Sequence, residues 1–198
     1  MYVRPRSAGR LDSKSTALDV IQGYNLSGCE AVVTGASSGI GIEIVRALAV
    51  AGARVVIGAR DIDRANIVAG RLRRETGSNK IETDKLDLAS LKSVHEFSLI
   101  YLAKTRPLHL LINNAGVMAC PQTYTEDDFE MHMGTNHFGH FALTLNLLPA
   151  LRFAAKSSRL NARVINLSSI AHIYSPVNFD DINYRKTPYD VSDFYFNS

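Results

Sequence analysis

The residues best placed to do chemistry lie first in Ala31 to Gly41, which reads AVVTGASSGIG. Small β-formers from Ala31 to Thr34 run into three glycines, Gly35, Gly39 and Gly41, after which apolar residues recur near every 3.6 positions, so the stretch reads strand, turn, helix. Such a turn leaves backbone N–H groups without partners at a helix N-terminus, and the helix dipole adds partial positive charge there. A pyrophosphate suits that site. Gly35 would make the tight turn, Gly39 would let backbone approach the ligand, and Gly41 would let helix and strand pack closely. Two other readings compete for the stretch. Gly35-Ala36-Ser37-Ser38-Gly39 also satisfies G-x-S-x-G, which would make Ser37 a nucleophile, but the turn follows the first strand and no HGGG-like oxyanion loop is visible. The other is a glycine-rich turn that binds nothing.

More polar residues fall where strands should end: Ala59 and Arg60, then Asp87, then Asn113-Asn114-Ala115-Gly116, then Ser168 and Ser169. In open parallel sheets ligands bind beyond the carboxyl ends of the strands. About twenty residues past the glycines an NAD site wants an acid for the ribose 2′-hydroxyl. This chain offers Arg60, so a 2′-phosphate would meet a cation, and the expected cofactor is NADP(H). His132, His137 and His140 lie close in sequence, but only His137 and His140 share a helical face and no third ligand joins them. No metal site is expected.

The elements that position these residues can be read from capping and periodicity. Ser15 caps a short helix to Gly23. The helix after the glycine turn is expected to bury Ile40, Ile44, Ala47, Leu48 and Ala51, with Gly52 as its stop. Strand two spans 54–58, and Asp61 or Asp63 caps a helix to about Thr76. Strand three lies near 81–86, Ser90 caps a helix to about Lys104, and strand four is the apolar run 108–112. Thr125 and Asp128 would open a long helical region to about Ala154, with Pro149 at a bend or end. Strand five is 163–167. The alternation with continuous apolar strands means a doubly wound parallel α/β sheet covered by helices on both faces. Because a loop rich in Pro, Asn and Asp follows Leu167, the last strands of such a fold are expected to be missing.

The chain has 198 residues and a formal charge of +3, which suits one domain and gives nucleic-acid binding little support. No apolar run approaches the ~20 residues of a membrane span. Cys29 and Cys120 have no C-x-x-C partner, which fits a reducing, cytoplasmic setting. The basic segment Met1 to Lys14 reads as a solvated arm rather than a targeting peptide, since Pro5 and Gly9 interrupt any helix. Residues 1–27 are then an N-terminal arm with a short helix, and 28–198 a nucleotide-binding domain incomplete at its C-terminal end.

In order along the chain, Thr34-Gly35-Ala36-Ser37-Ser38-Gly39-Ile40-Gly41, Asp87, Asn113-Asn114-Ala115-Gly116, Thr135-Asn136-His137-Phe138-Gly139-His140-Phe141 and Ile165-Asn166-Leu167-Ser168-Ser169 resemble the short-chain dehydrogenase/reductase family. Within it the chain is similar to the retinol dehydrogenase and WW-domain-containing oxidoreductase branch. The resemblance implies a Rossmann fold and hydride transfer between a hydrophobic alcohol and its carbonyl, with a retinoid- or steroid-like substrate. It implies that Gly35, Ser37, Gly39, Ile40 and Gly41 line the pyrophosphate, that Asp87 faces the adenine, and that Asn114, Ala115 and Gly116 adjoin the riboses. Asn136 would hold a proton-relay water and Ser169 the substrate oxygen. Tyr195 would exchange the proton as the tyrosine of a Y-x-x-x-K motif whose lysine would stand one residue past Ser198, with Pro176 to Asp190 as an insertion before it. A chain without that lysine is expected to turn over little, which leaves a non-catalytic cofactor-binding or interaction protein as the rival reading. A homodimer is implied for the longer form.

Overall fold

The structure is a computed structural model and describes residues 11–158, 161–173 and 176–188. In chain order the elements are α1 (Ala17–Ile21), β1 (Glu30–Thr34), α2 (Gly39–Val50), β2 (Arg54–Ala59), α3 (Ile62–Thr76), β3 (Ile81–Lys85), α4 (Leu91–Ala103) and β4 (Leu110–Asn113). A π-helix (Met133–Gly139) then leads into α5 (His140–Ser158), β5 (Arg163–Asn166) and a 3-10 turn (Ile170–Ile173). The five strands form one parallel sheet in the order β3-β2-β1-β4-β5. Its strand ends point one way, so every candidate residue after a strand emerges on one rim.

Period-two alternation divides the core between two faces. Ala31, Val33, Val55, Ile57 and Ile112 pack with Val45, Leu48, Val68 and Leu72 of α2 and α3. Val32, Val56 and Leu111 pack on the opposite face with Val94, Phe97, Leu143 and Leu147 of α4 and α5. Each such side chain contributes about 1.5–3 kcal/mol on burial, which is why strands buried on both faces read as unbroken apolar runs. Asp61 caps α3 by accepting from Arg64 N–H at 2.9 Å, Ser90 caps α4 through Ser93 N–H, and Gly77 ends α3 at φ +69°.

Four expectations change. The cap of α1 is Thr16 rather than Ser15, because Thr16 and Asp19 satisfy each other's backbone N–H in a capping box. Ile40 is 71% exposed instead of buried, since the buried stripe of α2 runs through Gly41, Val45 and Leu48 and turns Ile40 outward. Strand four starts at Leu110, although Leu108 is fully buried before it. The long helix does not begin at Thr125. Tyr124 and Glu130 form an isolated antiparallel bridge around a turn with Asp128 at φ +66°. The Glu130 carboxylate then caps the following helix by accepting from His132 N–H at 3.0 Å and Met133 N–H at 2.9 Å, and Pro149 is carried inside α5.

Candidate active site

At the rim, the β1–α2 turn is tied to β2 by the Gly35 N–H, which donates to Gly58 O at 3.1 Å. Gly35 and Gly39 take φ +68° and +55°, a conformation that favours glycine. Ser38, the N-cap of α2, makes no side-chain cap hydrogen bond. A Cβ at Gly35 would sit 2.7 Å from Ala115 Cα, and one at Gly41 would sit 2.7 Å from both Ala36 Cα and Asn114 Nδ2. A Cβ at Gly39 would meet nothing within 4 Å. Gly35 and Gly41 therefore serve packing, whereas Gly39 borders open space beside the helix N-terminus.

The strand ends are stitched together by Thr34 and Asn114. Thr34 Oγ1 accepts from the N–H groups of Asn114 and Ala115, each at 2.9 Å. Asn114 Nδ2 donates to Thr34 O at 2.8 Å. Beside this joint, Asn136 sits in the π-helix, a local widening frequent at functional sites. Its Oδ1 accepts from Val117 N–H at 2.8 Å and its Nδ2 donates to Val117 O at 3.1 Å. Gly139 closes the π-helix against the backbone carbonyl of Leu88, where a Cβ could not fit.

A cleft of about 500 Å³ opens here, and it gathers Ile40, Asn114, Ala115, Gly116, Asn136 and Ser169 from segments far apart in sequence. Arg60 and Asp87 stand off the cleft, beyond β2 and β3. Arg60 is exposed, and its carbonyl accepts from Lys85 Nζ. Asp87 Oδ1 accepts from Ala89 N–H at 3.0 Å, holding the turn after β3. Ser37 is half-buried in the glycine turn. Tyr195 lies outside the described residues. Of the expected insertion, residues 176–188 fold over 122–130. Gln122 Nε2 donates to Tyr184 O at 3.0 Å, Glu130 N–H donates to Asn183 Oδ1 at 2.9 Å, and the Arg185 guanidinium lies 4.6 Å over the Tyr124 ring. Burial opposes ionisation of the Asp181 carboxyl, but the amides of Thr187, Lys186 and Arg185 outweigh it and bring its pKa to about 2.

Sequence reasoning placed Thr34 and His140 within motifs but gave neither a role beside the cleft. His140 is buried, and its Nε2 lies 2.8 Å from Thr34 Oγ1 while its Nδ1 lies 2.8 Å from Asn136 O. Burial lowers its pKa, favouring the neutral ring. The available signal was the four-residue spacing from Asn136, which puts the ring under that carbonyl on a helix.

A parallel sheet in this order, with a glycine turn and helix N-terminus after β1 and a cleft beyond β4 and β5, defines a nicotinamide-dinucleotide fold of the dehydrogenase class. Residues 30–179 match the sequence model of the short chain dehydrogenase family, and the chain belongs to that family, in its retinol dehydrogenase-like branch. It is 45% identical over 161 residues to retinol dehydrogenase 11 of Mus musculus, which aligns with 81% of this chain and 49% of the relative. The chain thus spans about half the length of the curated relatives it matches. Among solved structures it is similar to the RhlG/NADP active-site complex of Pseudomonas aeruginosa, with TM-score 0.67 and 32% identity, covering 87% of this chain and 62% of that one. It is also similar to 3-ketoacyl-(acyl-carrier-protein) reductase of Brucella melitensis complexed with NADH, with TM-score 0.63 and 27% identity, covering 75% and 59%. Among the described residues no helix is long and apolar enough to cross a membrane.

Proposed function

We propose that the chain is the cofactor-binding part of an NADP(H)-dependent oxidoreductase that interconverts a hydrophobic alcohol and its carbonyl. The observation that carries this reading is the convergence of Ile40, Asn114 to Gly116, Asn136 and Ser169 on one cleft beside the glycine turn. The strand order sets Arg60 and Asp87 on one side of that turn and the cleft on the other, which matches an elongated ligand with two nucleotide ends lying across the rim. Bound nicotinamide supplies or accepts the hydride. In reduction the Ser169 hydroxyl donates to the substrate oxygen, and Tyr195 delivers the proton. Retinol dehydrogenase 11 carries its substrate class in its name, and the apolar side chains Ile40 and Phe141 on the cleft are compatible with such a molecule.

The preference for NADP(H) rests on Arg60, an exposed cation at the position where an NAD site carries an acid. Lys85, paired with Ala59 in the sheet register, brings a second cation to the same corner. Titration of the 198-residue chain with NADPH and NADH tests this. Arg60→Ala is expected to weaken NADPH binding about tenfold, the effect of losing one charge-assisted phosphate contact, and to leave NADH binding within about twofold. Equal losses for both dinucleotides would remove the basis for NADP(H).

A second reading, binding without turnover, is favoured by the open side of the cleft. There β5 is exposed along its length and Leu167 is 40% exposed. Tight NADPH binding together with no reduction of hydrophobic aldehydes would select it.

A further inference from the structure

Thr34 Oγ1 accepts two backbone N–H groups, those of Asn114 and Ala115, at 2.9 Å each. Two acceptances use both lone pairs of a hydroxyl, so its own hydrogen must go to a third partner. That partner is His140 Nε2 at 2.8 Å, which must therefore carry no proton. The neutral ring then has its hydrogen on Nδ1, and Nδ1 faces Asn136 O at 2.8 Å, an atom that can only accept. Every hydrogen-bonding atom in the chain Asn114/Ala115 N–H, Thr34 O–H, His140, Asn136 C=O is satisfied in a single tautomer. Thr34 and His140 are 0% and 6% exposed, so solvent does not compete for these bonds.

We propose that His140 is a positioning residue of the dinucleotide site, fixing the π-helical turn that carries Asn136 to the strand-end joint that shapes the glycine turn. This rests on the dehydrogenase reading above. The two halves are also tied by the side chain of Asn136 to Val117 in the loop after β4, and by Asn113 Nδ2, which donates to Thr144 Oγ1 of α5 at 3.2 Å. The ring is the tie that bonds both Thr34 and the Asn136 carbonyl, and through Ala115, against which Gly35 packs, it reaches the glycine turn. His140 thus acts through Thr34 and Asn136 rather than by chemistry of its own.

The test uses the 198-residue chain, its NADPH dissociation constant, its thermal unfolding, and two-bond 1H–15N spectra of the histidine rings without ligand. The expected spectrum shows His140 neutral with the proton on Nδ1. Removing a fully satisfied buried hydrogen bond is expected to weaken NADPH binding about tenfold in His140→Ala and in Thr34→Val. The double variant is expected to be no more than about threefold worse than either single one, because both break the same link. Leu147→Ala, a core truncation two turns further along α5, controls for general loosening. It lowers the unfolding temperature and is expected to leave NADPH affinity within about twofold. A proton on Nε2, multiplicative losses in the double variant, or an equal affinity loss in Leu147→Ala would each overturn the proposal. If the unaltered chain binds neither NADPH nor NADH, the dehydrogenase reading fails. The ring tautomer and the coupling of Thr34→Val with His140→Ala in thermal unfolding then judge the link by themselves.

Discussion

A methyl group added at Gly41 would lie 2.7 Å from Ala36 Cα and 2.8 Å from Gly35 O, against backbone that cannot step aside. At Gly39 the same methyl would meet open space, at the cost of an L side chain at φ +55°. The two substitutions are expected to separate stability from binding. Gly41→Ala overpacks a closed contact and should lower the unfolding free energy by about 1–3 kcal/mol. Gly39→Ala should cost only the left-handed penalty of about 1–2 kcal/mol, while its methyl occupies the space a phosphate would take, so that NADPH affinity falls further than stability does. Urea denaturation and dinucleotide titration of both variants check this, and a Gly39→Ala protein with unchanged affinity would place the phosphate elsewhere. The strand, turn and helix around Gly35, Gly39 and Gly41 were legible in the spacing of the glycines. The work of Thr34 was not. Its hydroxyl bonds amides 80 and 81 positions later in the sequence, a relation fixed by strand pairing and invisible to local pattern.

Caps and strands belong to the next scale, and there the sequence was most readable: Asp61, Ser90 and Gly77 act where they stand, because a cap is a contact within four residues. The start of the helix before α5 was misread for the converse reason. Glu130 caps it only because the Tyr124 bridge folds 125–130 into a turn, and the π-helical widening depends on Gly134 and Gly139 packing on Thr125 and Leu88. Away from the rim, β3, α4 and the segment before β4 are tied by charge. Glu82 accepts from Arg106 Nη1 at 2.8 Å and Arg54 Nη1 at 2.7 Å, and Lys104 Nζ lies 3.6 Å away. The Arg106 hydrogen bonds, helped by Arg54 and opposed by burial, draw the Glu82 pKa from 4.5 to about 2. A carboxyl with a depressed folded pKa adds stability above its unfolded value and loses it as pH falls through the folded one. Glu82 should therefore stabilise fully above pH 4.5 and lose its contribution between there and about pH 2. Solvent screening of this half-buried group limits the effect to about 1–2 kcal/mol. Glu30 in the same cluster moves the opposite way, burial holding its carboxyl above the ordinary range despite Arg106. Comparison with Glu82→Gln isolates the right group. That variant should be less stable at pH 7 and indistinguishable from the unaltered chain near pH 2; a gap that persists at low pH would assign the effect to packing.

Across the whole molecule, the rim joins elements that the core alone leaves apart. The two apolar clusters hold the helices to opposite faces of the sheet and reach the strand ends at Ala36 and Ala59 on one face and at Leu86 and Ala115 on the other, while the polar groups of Thr34, Asn114 and Asn136 join the two sides around the cleft. A ligand lying across that rim would bridge β1, β2, β4 and the π-helical turn at once, so its binding should be felt as global stability rather than as a local change. The size of the effect follows from mass action: a ligand that binds only the folded chain adds about 2.7 kcal/mol at a concentration 100 times its dissociation constant. For a chain of 198 residues, with about 2–4 °C of unfolding temperature per kcal/mol, NADPH at that level should raise the midpoint by roughly 5–10 °C. The same concentration of NADH should raise it less if Arg60 reads the 2′-phosphate, and the difference should disappear in Arg60→Ala. Differential scanning fluorimetry across a dinucleotide series measures all three. Because the exposed β5 lies at the far edge of the sheet from Arg60, a shift that survives Arg60→Ala but is lost in Gly39→Ala would show the pyrophosphate turn to be the dominant grip, whereas no shift with either dinucleotide would remove the cofactor from the rim altogether.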